Sequence, residues 1–460
     1  MKKKIINKSS LILFTIMISF VFLVFVRADF NDAKFPVLIG FIFIGIHSII
    51  EITIDNRFIS MNKFYWHFQF IFFCVAPLCQ HLNGYYPWGV YINIEDIMIA
   101  ELMIIAWNLL YSLLYRIDFK KSKRALIQKK FVIEKEYTNL RMLIILMITV
   151  SIFIVLVKLI GFKNLFFRSE NELDIDDSLT NFILKKILTS FPAISCVFFI
   201  LNYRKTRSRF DAFCICVTFC FSLLSNFPTS TTRYWMGTIF ASIFIVLFVK
   251  KKKSRLIDFA IIIGFSTLFP LFYSFKTLNI DDFFSGNIHF KGVFESFSTI
   301  DFDAFSLVAR SVRFVRENGI TYGNQLINVI FFFIPRSLWT TKPITTNVLI
   351  ASSQNQVFTN LSCPLVAEGY VNFGVLGIVL YVVIYSRFNK FVDDIYWNNN
   401  TKNINIINIV YPFLCVITLY INRGPLQPSF IQTLMLLSPM IFINLIGKKR
   451  KELKNEKQCC

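Results

Sequence analysis

The chain has 460 residues, of which 55% are hydrophobic and only 17% carry a charge, against roughly 25% charged in an average soluble protein. The apolar residues fall in long, nearly uncharged blocks, not in short periodic stripes, which excludes a soluble enzyme, a coiled coil and a disordered chain. The formal charge of +21 would suit a nucleic-acid binder if the cations covered a soluble surface, but they cluster in gaps between alternate apolar blocks.

Taken in chain order, the blocks predict an all-α, polytopic transmembrane bundle of about twelve spans. They lie near 10–27, 36–54, 64–80, 96–115, 142–161, 185–202, 210–226, 234–250, 257–275, 369–387, 404–421 and 429–446, and most approach the length a helix needs to cross ~30 Å of hydrocarbon. The cation clusters are Lys2 to Lys4 with Lys8, the run from Arg116 to Arg141, Arg204 to Arg209, Lys250 to Arg255, and the tail from Lys448. The positive-inside rule puts these clusters and both termini in the cytoplasm. Residues 1–275 then carry nine spans, 276–368 form a large outer loop, 369–446 carry the last three spans, and 447–460 form a basic cytoplasmic tail.

Two outer loops stand apart. Residues 162–184 hold Glu170, Glu172, Asp174, Asp176 and Asp177 and read as an acidic surface loop. Residues 276–368 are too many for a plain connector. Within them, Ala304 to Val315 has an amphipathic helical pattern that stops near Asn318-Gly319. The apolar run 325–334, ended by Pro335, is too short to span and predicts an interfacial or re-entrant helix.

Cations outside the cytoplasmic clusters draw attention, because charge statistics give no reason for them. Arg233 follows Ser225-Asn226-Phe227-Pro228 at an outer boundary; Arg310, Arg313 and Arg316 recur every three residues, roughly on one face; Arg336 follows Pro335, Lys342 precedes Pro343, and Arg423 lies between the last two spans. Arginine's planar donors suit phosphate oxygens, although each of these side chains can also snorkel to lipid headgroups. Among the carboxylates, Asp303 either caps the helix that starts at Ala304 or serves as a base, and Glu368 is a base or an ion-pair partner. Tyr322, Trp339 and Tyr370 stack on sugar rings or anchor at the interface. His289 is the histidine placed in the large loop. Cys214, Cys216 and Cys220 lack His or carboxylate support for a metal, and most other cysteines read as small buried hydrophobes. No Walker A, dinucleotide, HExxH or GxSxG motif is present. No cofactor or metal is expected.

Asp303-Ala304-Phe305, then Tyr322-Gly323-Asn324-Gln325, then Ile334-Pro335-Arg336-Ser337-Leu338-Trp339-Thr340-Thr341-Lys342-Pro343 resemble the central loop of bacterial oligosaccharide repeat-unit polymerases, the O-antigen polymerase (Wzy-type) family. Ala367-Glu368-Gly369-Tyr370-Val371-Asn372-Phe373-Gly374 is similar to that family's re-entry segment, and Asn226-Phe227-Pro228-Thr229-Ser230 with Arg233-Tyr234-Trp235 to an earlier outward motif. The resemblance covers about 226 to 377. It implies a GT-C-like glycosyltransferase of the bacterial inner membrane with a periplasmic loop, acting in lipopolysaccharide or related polysaccharide synthesis. The partners implied are oligosaccharides linked to undecaprenyl diphosphate, membrane lipid and a chain-length regulator, with no nucleic acid. In this reading Asp303, Glu368, Arg310 and Arg336 are catalytic, while Arg233, Arg310, Arg313, Arg336, Lys342 and Arg423 hold diphosphate. Tyr322, Trp339, Tyr370 and Asn372 contact glycan. Alternatives are an O-antigen ligase, with the same donor but a lipid A-core acceptor, and an oligosaccharide flippase.

Overall fold

The structure is a computed structural model, and it describes residues 8–26, 35–89, 91–118, 135–166, 179–248, 255–268, 293–398 and 405–449. Several sequence expectations fall outside these residues: the acidic cluster from Glu170 to Asp177, the stretch 276–292 with Asp281, Asp282 and His289, most of the cation clusters expected in the cytoplasm, and Cys459-Cys460.

The described chain is helical apart from a two-residue antiparallel ladder joining Lys135–Glu136 to Lys448–Lys449. In order, the helices are α1 Lys8–Val26, α2 Phe35–Ile54, α3 Met61–Phe70, α4 Ala76–Leu82, α5 Ile94–Arg116, α6 Asn139–Ile160, α7 Leu179–Thr206, α8 Arg209–Ser225 and α9 Arg233–Phe248. Then follow α10 Leu256–Ile263, α11 Val293–Ser296, α12 Ala304–Asn318, α13 Asn324–Ile330, α14 Thr346–Ser353, α15 Leu365–Trp397, α16 Ile406–Arg423, α17 Leu426–Leu437 and α18 Pro439–Ile446. Seven of the helical segments are long and apolar enough to cross a membrane. Exposed apolar side chains, Leu102 and Leu113 on α5 and Leu140, Met147, Ile154 and Leu159 on α6, suit lipid and not water.

The chain divides into two compact units. One comprises Met1–Asp118, Val249–Phe391 and Cys415–Ile431; the other comprises Phe119–Phe248, Val392–Leu414 and Gln432–Cys460.

In the first unit, α3 opens on Ser60, whose hydroxyl accepts from the Lys63 N–H at 2.9 Å, the usual way to satisfy a helix's first donors. A π turn over Ile71–Val75 separates α3 from α4, next to Pro77, where the missing proline N–H already interrupts the ladder. α12 packs on α5, α14 and the π turn. Phe305 meets Phe41 edge-on at 4.8 Å, and Phe302 stacks on Phe72 at 5.1 Å. As the spacing predicts, α12 ends at Gly319, whose φ of 77° suits a residue without Cβ. The 325–334 run is helical only to Ile330 and then passes through a turn.

α15 is broken at Phe373 and Gly374, where Gly374 has φ 62° and ψ −144°. The break lets the short leading helix fold against the longer one: a Cβ on Gly369 would sit 2.7 Å from the Gly377 carbonyl oxygen. In a straight helix two residues eight apart would be about 12 Å from each other. Asn372 secures the bend, donating to the Glu368 carbonyl at 2.8 Å and accepting from the Leu326 N–H at 3.3 Å.

The same unit also buries a charge network. The Asp258 carboxylate accepts from Lys63 Nζ at 2.9 Å and Arg255 Nη1 at 3.3 Å, and lies 3.0 Å from His67 Nε2. Arg255 donates further to the Ile52, Thr53 and Asp55 carbonyls, Asn56 Oδ1 and Ser10 Oγ. Burial favours the neutral form of Asp55, but Arg57, bonded to it through Nε at 2.8 Å, holds the carboxyl well below the usual carboxylate range.

In the second unit, α7 is the central element, with α6, α8, α9 and α18 against it. Thr149 of α6 donates to Ser195 of α7 at 3.0 Å. The best apolar stretch of α7 is 78% buried and that of α6 only 22%, so α7 is the core of this unit while α6 leaves most of its apolar surface exposed.

Candidate functional site

Several buried candidate residues gather around α12. The loop ahead of it is fixed by Gln80, whose side-chain amide donates to the Phe297 and Phe302 carbonyls at 2.8 and 2.9 Å. Asp303 sits at the N-cap position, yet its side chain does not cap. It is fully buried and accepts from Trp88 Nε1 at 2.8 Å, the Ser362 N–H at 3.2 Å, the Ser362 hydroxyl, and Arg423 Nη2 at 3.0 Å. Four donors occupy the lone pairs of a carboxylate, so Asp303 is saturated. Arg423 is equally committed, giving Nε to the Asp301 carbonyl at 2.9 Å and accepting the Cys363 N–H on its own carbonyl at 3.0 Å. The pair knits the start of α12, the Ser362-Cys363 segment and the end of α16 together; removing one member of such a buried pair costs about 3–5 kcal/mol.

Two turns along α12 the chemistry changes. Arg310 is only 2% exposed. Its Nε donates to Gln354 Oε1 at 2.6 Å, and the Gln354 amide returns a bond to the Arg310 carbonyl at 3.3 Å. Among the described residues Nη1 and Nη2 find no hydrogen-bond partner. Burial pushes the Arg310 pKa down to about 10, against the pull of the nearby Asp303 carboxylate, so the side chain remains cationic at neutral pH. Gln354 thus holds the Nε side of the guanidinium, and the two Nη donors lie buried beside each other. That pair fits two oxygens of one oxyanion. A buried charged group left without partners is costly and calls for a functional explanation.

Glu368 is the other buried carboxylate near this point. It accepts from the Thr346 hydroxyl and, at 2.8 Å, from the Leu426 N–H at the start of α17, where helix N-termini favour negative charge. Between it and Asp303 lies Cys363, whose thiol pKa is raised by burial and by both carboxylates.

The remaining predicted residues are placed as follows. Arg313 is exposed and pairs with Glu317 at 2.8 Å, while Arg316 pairs with Asp96. The three arginines of α12 therefore do not share a face: a three-residue step drifts by about 60° around a helix, which leaves Arg310 inside and the others outside. Arg336 is exposed, and its Nη1 donates to the Lys342 carbonyl at 2.9 Å. Lys342 is buried and spends its ammonium on the Phe332 and Ile334 carbonyls, each at 2.8 Å; burial, then Arg336, lowers its pKa. Tyr322 is 80% exposed with φ 51°, and Trp339 and Tyr370 are half-buried. Arg233 belongs to the second unit, where it opens α9. The structure so brings Asp303, Arg310, Glu368 and Arg423 into one region. Arg336 and Lys342 form a local turn of their own.

Sequence reasoning missed Gln354, Trp88, Ser362 and Thr346. None carries a charge, and Gln354 lies in a polar Ser352-Ser353-Gln354-Asn355 stretch that reads as loop. Among the described residues no group of three or more His, Cys, Asp or Glu is placed to share a metal ion. Comparison of the chain with family models, with curated proteins and with solved structures returns no match.

Proposed function

We propose that the chain is an extracytoplasmic glycosyltransferase that polymerises oligosaccharide repeat units carried on undecaprenyl diphosphate. The observation that carries this reading is Arg310, a buried cation clamped by Gln354 with two donors left for an oxyanion. The order of motifs from Asn226 to Gly374 supports it. So does the hydropathy, since seven helical segments are long and apolar enough to span and two shorter apolar helices, Ser10–Val24 and Arg233–Phe248, accompany them; the reading itself takes about twelve spans in a GT-C-like arrangement.

In this reading a hydroxyl at the non-reducing end of one lipid-linked unit attacks the anomeric carbon of the growing glycan. The bond from that carbon to the diphosphate oxygen breaks, and undecaprenyl diphosphate leaves with the electron pair. Negative charge grows on the departing diphosphate, and Arg310 Nη1 and Nη2 stabilise it most as the bond breaks; fixed donors of this kind typically contribute about 2.7–4 kcal/mol. The proton of the attacking hydroxyl passes to a carboxylate. Glu368 suits that role better than Asp303, because Asp303 already holds four donors, one of them the Arg423 cation. Arg423 then acts through Asp303 in holding the start of α12, and Arg336 with Lys342 shapes the turn that follows α13.

The test is deletion of the gene followed by gel separation of the surface glycan. Loss of polymerisation leaves single repeat units attached to the lipid core. A ligase deletion would leave the core bare while lipid-linked polymer accumulates, and a flippase deletion would leave the core bare without polymer; either pattern rejects the proposal.

A further inference from the structure

Trp88 lies in the short turn Pro87–Gly89 with φ 75° and ψ 7°, a left-handed conformation that bulky side chains seldom adopt and that marks a site held by its surroundings. What holds it is the indole Nε1, which donates to the buried Asp303 carboxylate at 2.8 Å. A tryptophan that anchors a protein at a membrane edge turns its N–H toward water or headgroups. Here the N–H is spent inward, so the exposed part of this half-buried indole is apolar.

Phe358 stands beside it, with ring centroids 6.2 Å apart and planes tilted by 40°. The rings are neither stacked nor perpendicular, so their faces are not spent on each other. Phe358 is 68% exposed and its neighbour Val357 is 91% exposed. Hydrocarbon does not suit this patch, because exposed Ser353, Asn355 and Asn360 flank it on the same segment, and in lipid their amides and hydroxyl would go unpartnered. A stable protein interface needs far more area than three side chains give. A small apolar patch rimmed by amides and a hydroxyl matches a sugar ring, which offers a C–H face to aromatic carbon and hydroxyls to polar groups.

The patch is continuous with the candidate site. Asp303 and Arg310 are seven residues apart on one face of α12, about 10 Å along the helix. The segment from Gln354 to Ser362 meets both, Gln354 at Arg310 and Ser362 at Asp303, with Phe358 between them against Trp88. We propose that Trp88 and Phe358 form a platform on which one sugar ring of the glycan stacks, set beyond the diphosphate that Arg310 receives. The class of ligand rests on the glycan-transfer reading given above; the platform itself rests on the two rings. Both residues lie outside the motifs that resemble the polymerase family.

The test mixes full-length protein in detergent with the repeat-unit oligosaccharide freed from its lipid carrier by mild acid, and saturation-transfer NMR reads the affinity and the sugar protons that lie on an aromatic ring. Saturable binding is expected, with transfer concentrated on the C–H protons of one ring. Phe358→Ala, a change at an exposed side chain, is expected to weaken binding about tenfold, as loss of an aromatic contact implies, and Phe358→Tyr to restore it. Trp88→Phe, which keeps a ring but loses the bond to Asp303, is expected to weaken binding several-fold; if it fails to fold, the Phe358 pair decides the question. Arg310→Met is expected to bind the freed oligosaccharide as wild type does, since that probe carries no diphosphate. Binding that depends on Phe358 in a chain whose deletion gives a ligase pattern keeps the platform and removes only the polymerase reading. Equal affinity in wild type and Phe358→Ala, which leaves the rings to lipid or to a protein, or no saturable binding at all, overturns the platform whatever the deletion shows.

Discussion

At Asp258 a buried carboxylate is met by Lys63, His67 and Arg255, and Arg255 is itself bonded to three carbonyls and two side chains. At Arg310, in the same unit, a buried guanidinium is held by Gln354, and two of its nitrogens find no hydrogen-bond partner among the described residues. Both regions bury charge, so burial does not distinguish structure from function here. The distinction lies in whether the buried charge is answered. An answered network stabilises the fold it closes, whereas an unanswered donor pair reduces stability and keeps binding capacity.

The contrast can be broken most forcefully at Asp258. Asp258→Ala leaves Lys63 and Arg255 facing each other without a counter-charge, and a loss of about 3–5 kcal/mol is expected, read as a lowered unfolding midpoint in detergent. Arg310→Met should do the reverse: it removes an unpaired charge while keeping a long side chain, so the midpoint stays or rises. Turnover should nonetheless fall by about 10²–10³ if Arg310 meets the leaving diphosphate. A drop in stability in both variants would erase the distinction.

Two smaller effects sharpen it. Gly377→Ala forces a methyl into the Gly369 backbone across the bend in α15, and a loss of about 1–3 kcal/mol is expected from overpacking, again by thermal unfolding. Gln354→Ala frees the guanidinium to rotate and should cost about tenfold in kcat/KM with little change in stability. Gln354→Glu should cost more, since its carboxylate would pair with Arg310 and occupy it. If Gln354→Glu matches wild type, Gln354 does not position the arginine.

Much of the fold was legible because lipid imposes a length rule. The uncharged blocks coincide with helices, and Asn318-Gly319 ends α12 where the pattern stops. The bend of α15 was less legible: the break is at Phe373-Gly374, and Gly369 serves the close contact it creates. The site was legible only in part. Arg310, Asp303, Glu368 and Arg423 stand out as charges in an apolar chain, yet which of them is saturated depends on neutral partners. Trp88 and Ser362 are far from Asp303 in sequence, and nothing local in either residue announces the bond. The Lys63–Asp258 pair was hidden for the same reason, since its members are separated by 195 positions.

The most direct measurement is release of undecaprenyl diphosphate by purified protein supplied with lipid-linked repeat units, comparing wild type with Arg310→Met at equal amounts of folded protein. If Arg310 Nη1 and Nη2 receive the departing diphosphate, release falls by about 10²–10³ while the unfolding midpoint is retained. Release at the wild-type rate would contradict that role.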